Sequence, residues 1–124
     1  MGPKSKTVRL MKSVVVDTDI LVDYFRKYEK SEKFLDKLKN EDFIVYFSAI
    51  TETELVSGNE CNKFEVRARV LDFLSNFTKI PINNQIALKA GDFRRIYGTR
   101  IPDAVIAATA YLTKSELITR NLRD

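Results

Sequence analysis

The chain has 124 residues, of which 44% are hydrophobic and 31% are charged, so it is predicted to be one globular domain rather than a disordered chain. Its formal net charge of +4 is compatible with a polyanionic partner such as nucleic acid. The chain has no histidine and one cysteine. This composition excludes histidine bases, Ser-His and Cys-His nucleophile pairs, the common zinc sites and a disulfide framework. An enzyme of this composition must work with carboxylates, lysine, tyrosine, hydroxyls or a hard metal ion.

The ends of the domain are predicted from composition. Residues 1–12 are expected to form a flexible basic lead, and residues 13–124 the folded domain. The apolar run at residues 14–16 is too short for the hydrophobic segment of a signal peptide, and the longest apolar run, at residues 104–112, is far short of a membrane span. The single cysteine and the lack of a targeting signal make the cytoplasm the expected compartment.

The first half of the chain predicts two strands and the helices that follow them. Residues 14–16 have the β-branched pattern of a short strand buried on both faces, after which Thr18 or Asp19 is expected to cap a helix. An amphipathic helix comes next, and then a second strand at residues 43–47. Ser48 stands where the cap of a further helix belongs.

The second half continues the alternation. A helix is predicted over residues 64–77 and a third strand over residues 79–82, followed by a helix that Gly98 ends. Pro102 opens the last helix, and residues 117–119 form a fourth strand. Strands that alternate with helices predict an α/β domain with a mainly parallel sheet.

Four acidic residues are predicted to gather at one edge of this sheet. Asp17 directly follows the first strand, Asp124 lies a few residues past the fourth, and Glu54 and Asp103 stand in or near the first turns of helices that begin at the same edge. Ligands of parallel α/β sheets bind at this edge. Because clustered carboxylates repel one another, the pattern indicates Mg²⁺ or Mn²⁺, which prefer oxygen ligands and activate water for attack on a phosphate without any histidine.

Each acid also has a purely structural explanation. Asp17 could cap the next helix, and the helix dipole alone favours Asp103 in a first turn. Glu54 could belong to an exposed helix face, and Asp124 could be a frayed chain end. Taken one at a time, the acids leave both explanations open.

Four segments of the chain resemble the sequence motifs of PIN domains, and the last of them resembles the end of VapC-type toxins. Their order and approximate spacing also fit, so the resemblance spans about residues 13–124. The segments are VVVDTDIL at residues 14–21, SAITETEL at residues 48–55, IPDAVIAATA at residues 101–110 and LITRNLRD at residues 117–124.

The resemblance implies a PIN-like three-layer fold, with a mainly parallel central sheet of four or five strands flanked by helices. It implies a metal-dependent endoribonuclease in which Asp17, Glu54, Asp103 and Asp124 bind Mg²⁺ or Mn²⁺ and cleave RNA, often structured RNA such as tRNA. It also implies the toxin of a VapBC-type toxin–antitoxin pair, which forms a homodimer and is neutralised by a cognate antitoxin.

Four further residues match supporting positions of the family. Thr18 and Thr119 match positions whose hydroxyls support the site, and Arg120 and Asn121 match the motif before the last acid. Asp19 departs from the family, which often has Asn or Ser at this place, so it either adds a fifth carboxylate or caps the helix.

Two alternatives remain at the level of sequence. A strand followed by the D-x-D of Asp17 and Asp19 also resembles the opening of haloacid dehalogenase phosphatases, although no clear match for that family's later acidic pair is present. The second alternative is a catalytically degenerate PIN domain that only binds RNA. Arg94, Arg95 and Arg100 are candidates for contacts with RNA phosphates, and a solvated helix face explains them equally well.

Overall fold

The computed structural model describes residues 12–26 and 29–120 of the chain. The predicted lead at residues 1–12 lies outside this range except for its last residue, and so do Asn121 and Asp124. Within the described part, the strands are β1 (Ser13–Val16), β2 (Ile44–Ser48), β3 (Thr78–Ile80) and β4 (Glu116–Ile118). The α-helices are α1 (Thr18–Phe25), α2 (Glu29–Asn40), α3 (Ala49–Val56), α4 (Phe64–Leu74), α5 (Asn84–Tyr97) and α6 (Ile101–Thr113). None of the described helices combines the length and the apolar character needed to cross a bilayer.

The four strands form one parallel sheet in the order β3-β2-β1-β4. β1 lies in the interior of the sheet, where Val15 is in register with Tyr46 of β2 on one side and with Leu117 of β4 on the other. This position explains the continuous apolar run of β1, because an interior parallel strand is covered on both faces. The predicted α/β class and parallel sheet are confirmed.

Alternate residues of β1 point to the two faces of the sheet, and helices cover each face. Val14 and Val16 pack against α1, α2 and α4, whereas Val15 packs against Ile106 and Ala110 of α6. A third cluster joins α5 to α6 on this second face. The result is the expected three-layer arrangement, with the carboxyl ends of all four strands at one edge. The first face buries Ile20, Leu21, Leu35, Leu38, Val45, Phe47, Val70, Leu74 and Ile118 beside the two valines.

Helix caps follow the sequence with one correction. Ser48 caps α3 as predicted, its Oγ accepting from the Ile50 N–H at 3.1 Å. The cap of α1 is Asp17 rather than Thr18 or Asp19, because Asp17 Oδ1 accepts from the Ile20 N–H at 3.1 Å while the other two residues lie inside the helix.

The bounds of α4 and β3 differ from the prediction, and β2 and β4 are each shifted by one residue. α4 ends at Leu74 rather than residue 77, because a turn is needed to bring the chain back to the sheet edge before β3 begins at Thr78. β3 ends at Ile80 because Pro81 has no N–H to donate to a ladder. The predicted helix end at Gly98 is confirmed, with φ at +68°.

Gly98 and Gly91 give opposite predictions for the same substitution. Both are open to a methyl group, since no atom lies within 4 Å of an added Cβ. Gly98→Ala should lower the free energy of unfolding by about 1 kcal/mol, because alanine is strained at positive φ. Gly91→Ala, in the interior of α5, should raise it by about 0.5–1 kcal/mol. Urea unfolding followed by circular dichroism measures both, and stabilisation by Gly98→Ala would contradict the assigned helix end.

Candidate active site

Three of the four predicted acids stand at the carboxyl edge of the sheet. Asp17 directly follows β1 and begins α1. Glu54 belongs to α3, the helix that follows β2, and Asp103 lies in the first turn of α6. α6 leads back into β4, so its first turn is at the edge where the strands end. Asp124, the fourth predicted acid, is outside the described residues.

The Asp17 carboxyl group is half-buried, and its environment disfavours the ionised form. Burial raises the pKa of Asp17 to about 6, against a lowering by the hydrogen bond from the Ile20 N–H. The negative charges of Asp19 and Asp103 raise this pKa further, and the positive charge of Arg120 lowers it. Asp17 therefore lies where a bound cation would stabilise its charge.

A chain of hydroxyl groups holds Glu54. Thr18 Oγ1 donates to Glu54 Oε1 at 2.7 Å and lies 3.0 Å from Thr51 Oγ1. Because the Thr18 hydrogen is used on Glu54, Thr51 is the donor to Thr18. Thr51 is fully buried, so this chain fixes the orientation of the Glu54 carboxylate from beneath. The supporting role expected of Thr18 thus has a contact to a predicted site acid.

Arg100 is paired with one of the site acids, Asp103. Its Nε donates to Asp103 Oδ2 at 3.2 Å. This hydrogen bond raises the pKa of the Arg100 guanidinium, and the negative charges of Glu54 and Asp19 raise it further. The side chain of Arg100 is 75% exposed, so it is a solvent-exposed counter-charge beside Asp103 rather than a buried partner.

Arg94 and Arg95, the other two candidates for phosphate contacts, have structural tasks. Arg94 Nη1 donates to the carbonyl oxygens of Gly98 and Thr99 and so closes the end of α5. Arg95 pairs with Asp92 on the helix surface at 3.1 Å. The prediction from sequence did not separate these two from Arg100, because contacts of this kind depend on the turn after α5.

A second arginine, Arg120, follows β4 and pairs with Asp23 of α1. Its Nε and Nη2 donate to the two carboxylate oxygens of Asp23 at 3.1 and 2.8 Å. The backbone joins the same two segments, since the Asp17 N–H donates to the Ile118 carbonyl at 3.1 Å. Sequence reasoning identified Arg120 but missed Asp23 and Thr51. The available signal for Asp23 is an acid on the apolar face of α1, which requires a cationic partner.

The acids do not form a tight cluster of their own. Among residues 12–26 and 29–120, no three acidic side chains lie close enough together to hold one metal ion between them. Asp17, Glu54 and Asp103 instead accept hydrogen bonds from protein groups. Their donor atoms are all oxygens, which suits Mg²⁺ and Mn²⁺, and burial makes Asp17 a position where added positive charge is stabilising. The chemistry of these donor atoms therefore fits a hard divalent ion.

Comparison with known families decides the assignment. A family model of the PIN domain matches residues 14–123, which is nearly the whole chain. The chain belongs to the PIN-domain family. PIN domains are nucleases, so this chain is a member of a nuclease family. No curated protein matches the sequence closely enough to be a relative.

Solved structures share the PIN fold with this chain. A toxin–antitoxin complex from Klebsiella pneumoniae contains a chain with 33% sequence identity and a TM-score of 0.75, with 90% of this chain and 88% of that chain covered. FitAcB from Neisseria gonorrhoeae matches with 25% identity and a TM-score of 0.67, covering 86% of each chain. DNA-bound VapBC from Salmonella typhimurium has 23% identity and a TM-score of 0.71, covering 92% of this chain and 89% of that chain, and shows the fold alone.

The raised pKa of Asp17 in this PIN domain predicts how stability depends on pH. The folded pKa of about 6 exceeds the usual 3.8, so folding becomes less favourable as the pH rises from about 4 to about 6. Asp17→Asn keeps the helix cap and removes the charge. Without metal at pH 7.5, it should raise the free energy of unfolding by about 1–2 kcal/mol after discounting for the half-exposed position.

Thermal melts in EDTA at pH 4 and pH 7.5 check this expectation. The gain from Asp17→Asn should be present at pH 7.5 and much smaller at pH 4, where the parent Asp17 is protonated in the folded state and partly protonated in the unfolded state. Asp19→Asn is the control, since Asp19 is exposed and should change stability by less than about 0.5 kcal/mol. An equal gain at both pH values would show that the effect does not come from the Asp17 charge.

Proposed function

We propose that this chain is a metal-dependent endoribonuclease that acts through the carboxylates at the carboxyl edge of its sheet. The supporting observation is that a half-buried Asp17, Glu54 and Asp103 stand at one edge of the sheet, where the charge of Asp103 acts on Asp17 and the charges of Glu54 and Asp103 act on Arg100. Membership of a nuclease family agrees with this chemistry. No histidine is needed, because carboxylates and a hard ion suffice for phosphodiester hydrolysis.

In this proposal Asp17, Glu54, Asp103 and Asp124 hold Mg²⁺ or Mn²⁺. Such an ion, when bound, lowers the pKa of a coordinated water and stabilises charge on the phosphate. Thr18 keeps Glu54 oriented through its 2.7 Å hydrogen bond, which lowers the cost of ordering that acid. Arg100 releases Asp103 and becomes available to an RNA phosphate, since its exposed guanidinium lies beside the acids. Asp17 provides the buried anionic position around which the others are arranged.

The biological setting we propose is a VapBC-type toxin with a cognate antitoxin. A chain 33% identical to this one occurs in a toxin–antitoxin complex. The surface also offers a pocket of about 480 Å³ between α1, α3 and α4, whose lining combines apolar Val22, Phe25, Leu55 and Val70 with charged Arg26, Glu54, Glu60 and Arg69. A partner segment seated in this pocket would lie against a site acid. Homodimerisation, cytoplasmic location, and the roles of Thr119 and Asn121 stay predictions.

RNA hydrolysis tests the proposal directly. The purified protein should cleave RNA in Mg²⁺ or Mn²⁺ and stop in EDTA. Asp17→Asn should lower cleavage about 100-fold or more while the variant stays folded, because it removes one metal ligand and its charge. Gel analysis of a labelled structured RNA measures the rate, with circular dichroism to confirm folding.

The companion variant Asp19→Asn separates the two enzyme classes. The nuclease assignment expects cleavage near the parent level, since relatives carry Asn at this place, whereas a phosphatase that used Asp17 and Asp19 would lose activity. Cleavage by Asp17→Asn at the parent rate in Mn²⁺ would reject the proposed site. A parent protein that binds RNA and does not cleave it in either metal would favour the degenerate RNA-binding module.

Metal affinity tests the site without relying on turnover. Arg100→Gln removes the cation that holds Asp103 and lies near Glu54, so it should tighten Mn²⁺ binding about two- to fivefold, the scale of an exposed ion pair. Isothermal titration calorimetry measures this change. Arg95→Gln, which breaks an exposed pair on α5, should leave Mn²⁺ affinity unchanged. Equal affinities for the parent and Arg100→Gln would place the ion away from Asp103.

A further inference from the structure

The ion pair between Asp23 and Arg120 is built differently from the others on this chain. Asp23 is 1% exposed, and both of its carboxylate oxygens accept from one guanidinium at 2.8 and 3.1 Å. A buried carboxylate is costly unless it is paired in good geometry, and the bidentate fork provides that geometry. The pair joins α1 to the residue two places after β4, across 97 positions in sequence.

Only part of Arg120 is used by this pair. The Arg120 side chain is 43% exposed, and neither hydrogen bond to Asp23 uses Nη1. Guanidinium has five N–H donors in one plane. Asp23 thus fixes the plane of the group from the protein side, while its outer edge faces solvent.

Arg120 lies close enough to the acidic site to act on its charges. The charge of Arg120 acts on both Asp17 and Asp19. An arginine free to move in this field would fold onto those two carboxylates, since opposite charges attract over several ångströms. The two hydrogen bonds to Asp23 oppose this movement, so that Arg120 stays near Asp17 and Asp19 without pairing with them.

We propose that Asp23 is a positioning residue that holds Arg120 at the rim of the acidic site, where Arg120 binds a phosphate of the RNA strand adjacent to the cleavage position. The inference rests on the proposed ribonuclease function. A strand that approaches several carboxylates meets repulsion, and a fixed guanidinium offers a planar, bidentate partner for phosphate oxygens. Because its plane is set before RNA arrives, little orientation is lost on binding.

The salt dependence of cleavage is the readout, because a merely structural pair would not change it. Each phosphate contact to single-stranded nucleic acid contributes a slope of about 0.7 to the fall of log affinity with log salt. In fixed Mn²⁺, kcat/KM of the parent on an RNA oligonucleotide is measured from low to moderate KCl. Asp23→Asn should lower the slope by about 0.7 and kcat/KM at low salt by about tenfold, mainly through KM.

Loss of a buried partner can destabilise a fold, so a second variant replaces both members of the pair. Asp23→Leu/Arg120→Met exchanges the pair for apolar groups, a change that folded proteins commonly tolerate. This double variant should melt near the parent temperature and still show the reduced slope and the tenfold loss. Asp92→Asn breaks the exposed pair with Arg95 on α5, which has the same chemistry and a 3.1 Å contact, and should leave both quantities unchanged.

The outcomes separate this inference from the function on which it rests. A folded double variant with the parent's slope would overturn the phosphate contact. A reduced slope in the double variant with a parental slope in Asp23→Asn would show that Arg120 acts without Asp23, which overturns the positioning role. Absence of metal-dependent RNA cleavage by the parent itself would reject the proposed function, before any variant is compared.

Discussion

Electrostatic repulsion among carboxylates at one sheet edge is the constraint on which the rest of this site depends. A parallel sheet brings the ends of its strands together, and here those ends lead into Asp17 and the helix that carries Glu54. The negative charges act on one another, as the effect of Asp103 on Asp17 shows. Such an edge is stable only if each acid is held by a donor or a cation. The hydrogen bonds of Thr18 and Arg100 meet that need in the protein by itself.

The fold followed from the sequence because its signals are local. The β-branched run of β1, the cap Ser48 and the helix end at Gly98 all act within a few residues, and each is found where it was expected. Element boundaries that depend on tertiary packing were harder to predict from the sequence. The early end of α4 reflects the turn needed to reach β3, which no short pattern encodes.

The candidate site was predictable to a lesser extent. The segments that carry Asp17, Glu54 and Asp103 were recognisable, and their common edge follows from parallel topology. The side-chain partners of the site residues were not predictable from the sequence, because these contacts connect distant parts of the chain. Asp23 meets Arg120 across 97 positions, and Thr51 reaches Glu54 only through Thr18. The alternative explanations offered for Asp17 also proved compatible, because one oxygen caps α1 while the carboxyl group remains at the sheet edge.

The two arginines at this edge differ in the one property that decides what a cation can do there. Arg100 is 75% exposed and pairs with an acid that is itself 55% exposed, so water competes for both partners and the contact is easily exchanged. Arg120 pairs with an acid that is 1% exposed, and taking the guanidinium away from a buried carboxylate would cost more than breaking a surface pair. An exchangeable cation can yield its acid to a metal ion, whereas an anchored one can move only by giving up two hydrogen bonds to a buried carboxylate. The two arginines therefore differ because of the burial of their partner carboxylates rather than the length of their contacts. Arg100 can be replaced by a metal ion, and Arg120 stays in place.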